Sequence, residues 1–145
     1  MPTLLERVRA MIEGEEPLPA AARLIGFRCT EVARGRAVFE MEAGPQHANP
    51  MGTLHGGILC DLADAAMGIA FAATLEEGQT FTTLELKMNF LKPVWNARLR
   101  ADARVVKRGK TIGMTECDVT DETGNLVAKA SSTCMALAGE KAEGR

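Results

Sequence analysis

His47-Ala48-Asn49-Pro50-Met51-Gly52-Thr53-Leu54-His55-Gly56-Gly57 runs without a break into Ile58-Leu59-Cys60-Asp61-Leu62-Ala63-Asp64-Ala65-Ala66-Met67-Gly68-Ile69-Ala70-Phe71-Ala72-Ala73. The first half is turn chemistry, punctuated by Asn-Pro, Met-Gly and Gly-Gly, and the second half is a helix of small and apolar residues. From Ile58 to Ala73 apolar residues occupy every angular position, which predicts a helix enclosed by other structure. Its only charges are Asp61 and Asp64. A carboxylate on an enclosed helix is costly unless it is paired, hydrogen-bonded or facing a cavity, so at least one of the two needs a reason to be there. At the helix entrance two glycines leave backbone N–H groups uncovered at the positive end of the helix dipole, a place suited to an anion or a developing oxyanion.

Working outward, residues 3–13 set Leu4, Leu5, Val8, Met11 and Ile12 at helical spacing, and Gly14 to Pro19 ends that short amphipathic helix. Ala20 to Leu24 adds a further turn. Ile25 to Val32 and Arg36 to Ala43 alternate with period two around a turn at Ala33-Arg34-Gly35. Beyond the central helix four extended runs follow: Phe81 to Phe90, Ala97 to Val105, Thr111 to Thr120 and Leu126 to Leu137. Turns at Lys107-Arg108-Gly109-Lys110 and Asp121-Glu122-Thr123-Gly124-Asn125 separate the later ones. Short turns make neighbours antiparallel. The reading is an α+β domain in which a curved antiparallel sheet of about six strands wraps one long helix, with a short N-terminal helix. It is one domain over 1–145, with 1–19 a helical extension and 139–145 a flexible, solvated tail. Asp121 and Glu122 also read as solvated surface.

Composition narrows the function. The chain has 145 residues, 46% of them hydrophobic, and a net charge of -2, which suits one globular core and argues against nucleic acid or an anionic membrane as partner. Cys29, Cys60, Cys117 and Cys134 are widely spaced with no Cys-x-x-Cys pair, which fits reduced core cysteines of a cytoplasmic protein better than disulfides or zinc. No stretch reads as a signal peptide or a membrane span.

Gly56 and Asp64 stand eight helical residues apart, roughly 12 Å. A base and an oxyanion donor must each come within about 3 Å of the reacting group. If both are functional, a second copy with its helix antiparallel must bring its Gly56 to Asp64, giving a homo-oligomer with two sites per dimer.

The Asn-x-x-Gly-x-x-His-Gly-Gly pattern at Asn49, Gly52, His55, Gly56 and Gly57, with Asp64 nine residues past the histidine, resembles the hot-dog-fold acyl-CoA thioesterases. It is most similar to their phenylacetic-acid-pathway (PaaI-type) branch. By pattern alone Asp61 and Asp64 are equivalent; the resemblance singles out Asp64 as general base or nucleophile. It implies that Gly56 offers its N–H to the thioester carbonyl, that His55 and Asn49 order the loop and help place thioester or water, and that Thr83 orients water or carboxylate. Gly57, Phe90, Lys92 and Pro93, and the turn Lys107, Arg108, Gly109, Lys110 and Thr111, fall where the family holds coenzyme A. The implied reaction is hydrolysis of an acyl-CoA to the free acid and coenzyme A, with no metal and no cofactor, in a homotetramer built as a dimer of dimers. Two competing readings are a hot-dog hydratase or dehydratase, and a non-catalytic binder of acyl thioesters. The His-Gly-Gly entrance argues against the first, and the enclosed carboxylate against the second.

Overall fold

The computed structural model describes residues 1–145. In chain order its α-helices and strands are α1 (Leu4–Glu13), α2 (Ala20–Ile25), β1 (Phe27–Ala33), β2 (Arg36–Ala43), α3 (Gly56–Ala72), β3 (Thr80–Phe90), β4 (Ala97–Arg108), β5 (Ile112–Thr120) and β6 (Leu126–Leu137), with short 3-10 turns at Pro45–His47 and Gly139–Ala142. The six strands form one antiparallel sheet in the order β1-β2-β4-β5-β6-β3. Together with the central helix this is the hot-dog arrangement anticipated from the sequence.

Topology explains the composition of α3. β2 lies near one edge of the sheet and β3 forms the other, so the chain between them must traverse the whole concave face. The helix buries Leu59, Leu62, Ala63, Ala66, Met67 and Ala70 at spacings of three and four. They meet inward residues of four strands, among them Ala37, Phe39, Leu99, Ala101, Ala103, Val119, Ala128 and Ala130. Alanine on both surfaces lets helix and sheet approach closely with few voids. The opposite sheet face is charged, with Arg36 donating to both carboxylate oxygens of Asp102 at 3.2 and 3.0 Å and Lys129 to Asp118 at 2.7 Å.

Several details depart from the sequence reading. The central helix begins at Gly56 rather than Ile58, because His55 caps it. It is also not enclosed on every side: Asp61 and Asp64 are exposed, and Ala65 and Ile69 only partly buried, on a face the sheet does not cover. β1 starts at Phe27 rather than Ile25, because Ile25 closes α2 and Gly26 takes a left-handed conformation at φ 95° to end it. Lys107 and Arg108 belong to β4, which shortens the following turn. β3 does not pair with the next strand in sequence. The segment Leu91 to Asn96 instead carries the chain back across the sheet to β4, and β3 hydrogen-bonds only to β6, leaving its outer edge bare.

Candidate active site

The loop before α3 is ordered by its own side chains. Asn49 Oδ1 accepts from the N–H groups of Met51 at 3.0 Å and Thr53 at 3.1 Å, while its Nδ2 donates to Thr53 Oγ1 at 2.6 Å. His47, unremarked by sequence reasoning as an anchor, is buried. Its Nδ1 accepts from the Gly44 N–H at 3.2 Å, which leaves the proton on Nε2 to donate to the Ile25 carbonyl at 2.7 Å. The loop is thereby tied to α2, and the Leu54 N–H to Val94 O bond of 2.7 Å ties it to the segment after β3.

His55 sits at the N-cap, where its Nδ1 accepts from the Gly57 N–H at 2.8 Å. A Cβ on Gly57 would stand 2.9 Å from that Nδ1, so the cap needs glycine there. A Cβ on Gly56 would stand 2.9 Å from two carbons of the Phe90 ring, which packs over the helix tip. The Gly56 N–H, first in the helix, has no acceptor within the protomer. It points from the positive end of the dipole and is available to a carbonyl oxygen.

Two turns along the same helix, Asp64 Oδ1 accepts from Thr83 Oγ1 on β3 at 3.3 Å, and that hydroxyl lies 3.9 Å from the buried Cys134 Sγ. A bulge separates Thr83 from Glu85 in the pairing of β3 with β6, so the strand's alternation is broken beside the site. Solvent reaches Asp64, yet the surrounding protein mass desolvates its carboxyl and pushes its pKa above the ordinary aspartate value. The Asp61 charge one turn earlier adds to that rise, and the Thr83 hydrogen bond partly offsets it. A more basic carboxylate, held by one hydroxyl and otherwise free, is suited to taking a proton from water.

Asp64 and Thr83 stand on the wall of an apolar cavity of about 570 Å³ between α3, β1, β3 and the N-terminal helices. Gly56, His55 and Asn49 do not line it. One protomer therefore carries the carboxylate and the helix tip as separate sites.

The residues read as coenzyme A contacts fall in two places. Phe90, Lys92 and Pro93 flank the end of β3; Phe90 covers Gly56, and Lys92 is held by Asp121 at 2.5 Å. Asp121 is buried and not solvated surface as its turn suggested: Lys92 and the Thr123 hydroxyl, with the N–H groups of Thr123 and Asn125, hold its carboxyl well below the usual carboxylate range. At the other place, Arg108 folds inward, with its Nε donating to Thr74 Oγ1 at 2.9 Å and its guanidinium 4.8 Å from the Phe71 ring centre. Gly109 closes the turn through its N–H to Ile112 O at 2.8 Å, and the Thr111 carbonyl accepts from Ala136 N–H at 2.7 Å. Lys107 and Lys110 are exposed and make no ion pair, so they are the cations there free to meet a ligand. All four cysteines are free thiols, and no three His, Cys, Asp or Glu side chains converge as a metal site. No helix is long and apolar enough to cross a membrane.

Comparison with known proteins bears on the family and the fold. Residues 51–128 match the thioesterase superfamily. Human acyl-coenzyme A thioesterase 13 is 30% identical over 139 residues, covering 92% of this chain and 96% of its own. Among solved structures, the phenylacetic acid degradation-related protein of Ralstonia eutropha JMP134 superposes with a TM-score of 0.80 at 33% identity, over 88% of this chain and 98% of that one. The Escherichia coli PaaI protein of the phenylacetic acid degradation operon shares the fold, with a TM-score of 0.82 at 24% identity over 94% and 98% of the two chains.

Proposed function

The chain belongs to the thioesterase superfamily and is a thioester hydrolase, and from that premise we propose that two copies join to hydrolyse an acyl-CoA to the free acid and coenzyme A. The observation that carries the proposal is the split described above: the carboxylate and its cavity at one point of α3, the unpartnered Gly56 N–H about 12 Å away at its tip. A two-fold related copy with its helix antiparallel sets its Gly56 against Asp64 of the first, and reciprocally, so each dimer has two complete sites.

In such a site the thioester carbonyl accepts from the Gly56 N–H of the second copy, whose helix dipole favours the oxyanion. Asp64 takes a proton from water as the water oxygen bonds to the carbonyl carbon. Collapse of the tetrahedral intermediate breaks the C–S bond and releases the acid, while the proton held by Asp64 passes to the leaving sulfur, giving coenzyme A and restoring the carboxylate. Thr83 holds the Asp64 carboxylate in place, and Asn49 and His55 position the loop from which Gly56 projects. The same arrangement carries the second copy's entrance loop toward the Phe71 end of α3. There Lys107 and Lys110 suit the phosphates of coenzyme A. No group beyond these side chains, water and the substrate's own coenzyme A enters the scheme.

The test is release of free thiol from a panel of acyl-CoAs, followed by mixing Asp64→Asn subunits with subunits altered at Gly56. Activity regained on mixing supports the shared site. No recovery after demonstrated subunit exchange removes it. A single turnover in ¹⁸O-water tests for a nucleophile: label in Asp64 marks attack by its carboxylate followed by water opening the mixed anhydride at the Asp64 carbonyl, whereas an unlabelled Asp64 with label in the product acid is the result expected when Asp64 activates water.

A further inference from the structure

α3 has a second periodic stripe that the sheet does not use. Asp61, Asp64, Ala65, Gly68 and Ile69 follow the spacing i, i+3, i+4, i+7, i+8 and all line the apolar cavity. Polarity runs along it, with carboxylates toward the N-terminal end of the stripe and only small or apolar groups beyond. Another part of the wall is supplied by the N-terminal helices, including Val8 and Met11 of α1. These precede residues 51–128, which match the superfamily. α1 is fixed firmly enough to serve as a wall: Thr3 and Glu6 form a reciprocal capping box, and Gly14 closes the helix with φ 80°.

Gly68 has a particular place in this. Glycine is a poor residue for the middle of a helix, yet here a Cβ would come within 3.1 and 3.2 Å of two carbons of the Phe81 ring. Phe81 lines the same cavity and packs against Phe71 with ring centres 5.9 Å apart, so it has little room to retreat. Gly68 thus lets the aromatic ring lie flush with the helix and keeps the cavity open where a side chain would fill it.

Resting on the thioesterase reading above, we propose that this cavity is the acyl subsite, that it takes an uncharged acyl chain of medium length, and that Gly68 from the helix and Met11 from the α1 wall set the length limit. The distance along the helix from Asp64 to Ile69 is about 7.5 Å. At about 1.3 Å per carbon of an extended chain, that holds roughly six carbons. A chain this long covers the apolar end of the stripe and expels its water, whereas an acetyl group leaves that end wet.

The test measures kcat/KM on straight-chain acyl-CoAs from acetyl to palmitoyl for the full-length protein and for Gly68→Val, Gly68→Ala and Met11→Ala. The wild type is expected to peak between hexanoyl and octanoyl. Gly68→Val is expected to lose about 10–200-fold on octanoyl-CoA while retaining butanoyl-CoA hydrolysis, with Gly68→Ala in between. Met11→Ala is expected to move the maximum to longer chains. A flat wild-type profile, or variants that change all chain lengths in parallel, would overturn the assignment while leaving the thioesterase reading standing. Absence of hydrolysis with every acyl-CoA would sink both. If Gly68→Val proves unstable by thermal melting, Gly68→Ala and Met11→Ala carry the test in opposite directions.

Discussion

The two faces of α3 share one backbone and seventeen residues, and they are built on opposite terms. The face toward the sheet is wholly buried, and its Leu62, Ala63, Ala66, Met67 and Ala70 have no solvent exposure. The face toward the cavity carries two carboxylates of like charge, a glycine that weakens the helix, and apolar groups that nothing in the protomer covers completely. Either stripe could have been apolar and packed. The difference teaches that stability was concentrated on one side of the helix so that the other could hold groups that work against it.

Asp64→Asn should have the largest effect. Loss of a general base typically lowers turnover by about 10²–10⁴-fold, and here it should do so without unfolding the protein. Because the folded carboxyl binds its proton more tightly than the unfolded one, the unfolded chain ionises first as pH rises through the ordinary aspartate range, and stability falls there. Asparagine removes that loss, so the variant should be at least as stable at neutral pH, by denaturant titration, as the wild type. Reduced stability would blur the contrast between the faces.

Leu62→Ala strikes the other face. Truncating a core leucine costs about 2–5 kcal/mol, which should appear as a lower denaturant midpoint, with kcat per folded molecule nearly unchanged. His55→Ala removes the cap at the tip where the two faces meet. A lost N-cap costs about 1 kcal/mol, readable as a lower melting temperature, and a rise in KM is expected as the loop before Gly56 loosens.

Asp61→Asn is the mildest and sharpens the comparison most. With the neighbouring negative charge gone, the Asp64 pKa should fall, and the acidic limb of the kcat/KM profile should move to lower pH. An unmoved limb would mean that the two carboxylates do not share one electrostatic environment.

Much of this organisation is legible in the sequence because it is local. The alternation from Ala97 to Val105 marks a strand with one buried side, and the Gly-Gly entrance marks a helix tip. Asp64 stands out because a charge interrupts an apolar run, although only likeness to a family separates it from Asp61. What stays hidden depends on distant partners. β3 pairs with β6 across the sheet, and nothing within Thr80 to Phe90 announces that. Asp121 sits in a turn of polar residues and looks solvated; its cation, Lys92, comes from a loop twenty-nine residues earlier. The cavity is hidden for the same reason, since α1 and α2 meet α3 only after the chain has folded back on itself. Met11 reads simply as part of an amphipathic helix.

The bare outer edge of β3 bears on how the protein comes into being. Along its eleven residues β3 pairs with β6 on one side only, and its other edge, with Leu84 half exposed, is a template for any extended peptide of matching pattern. A freshly synthesised chain is therefore sticky for as long as that edge stays uncovered. Because such edge-to-edge association grows with concentration, making the protein sparsely would itself hold aggregation down.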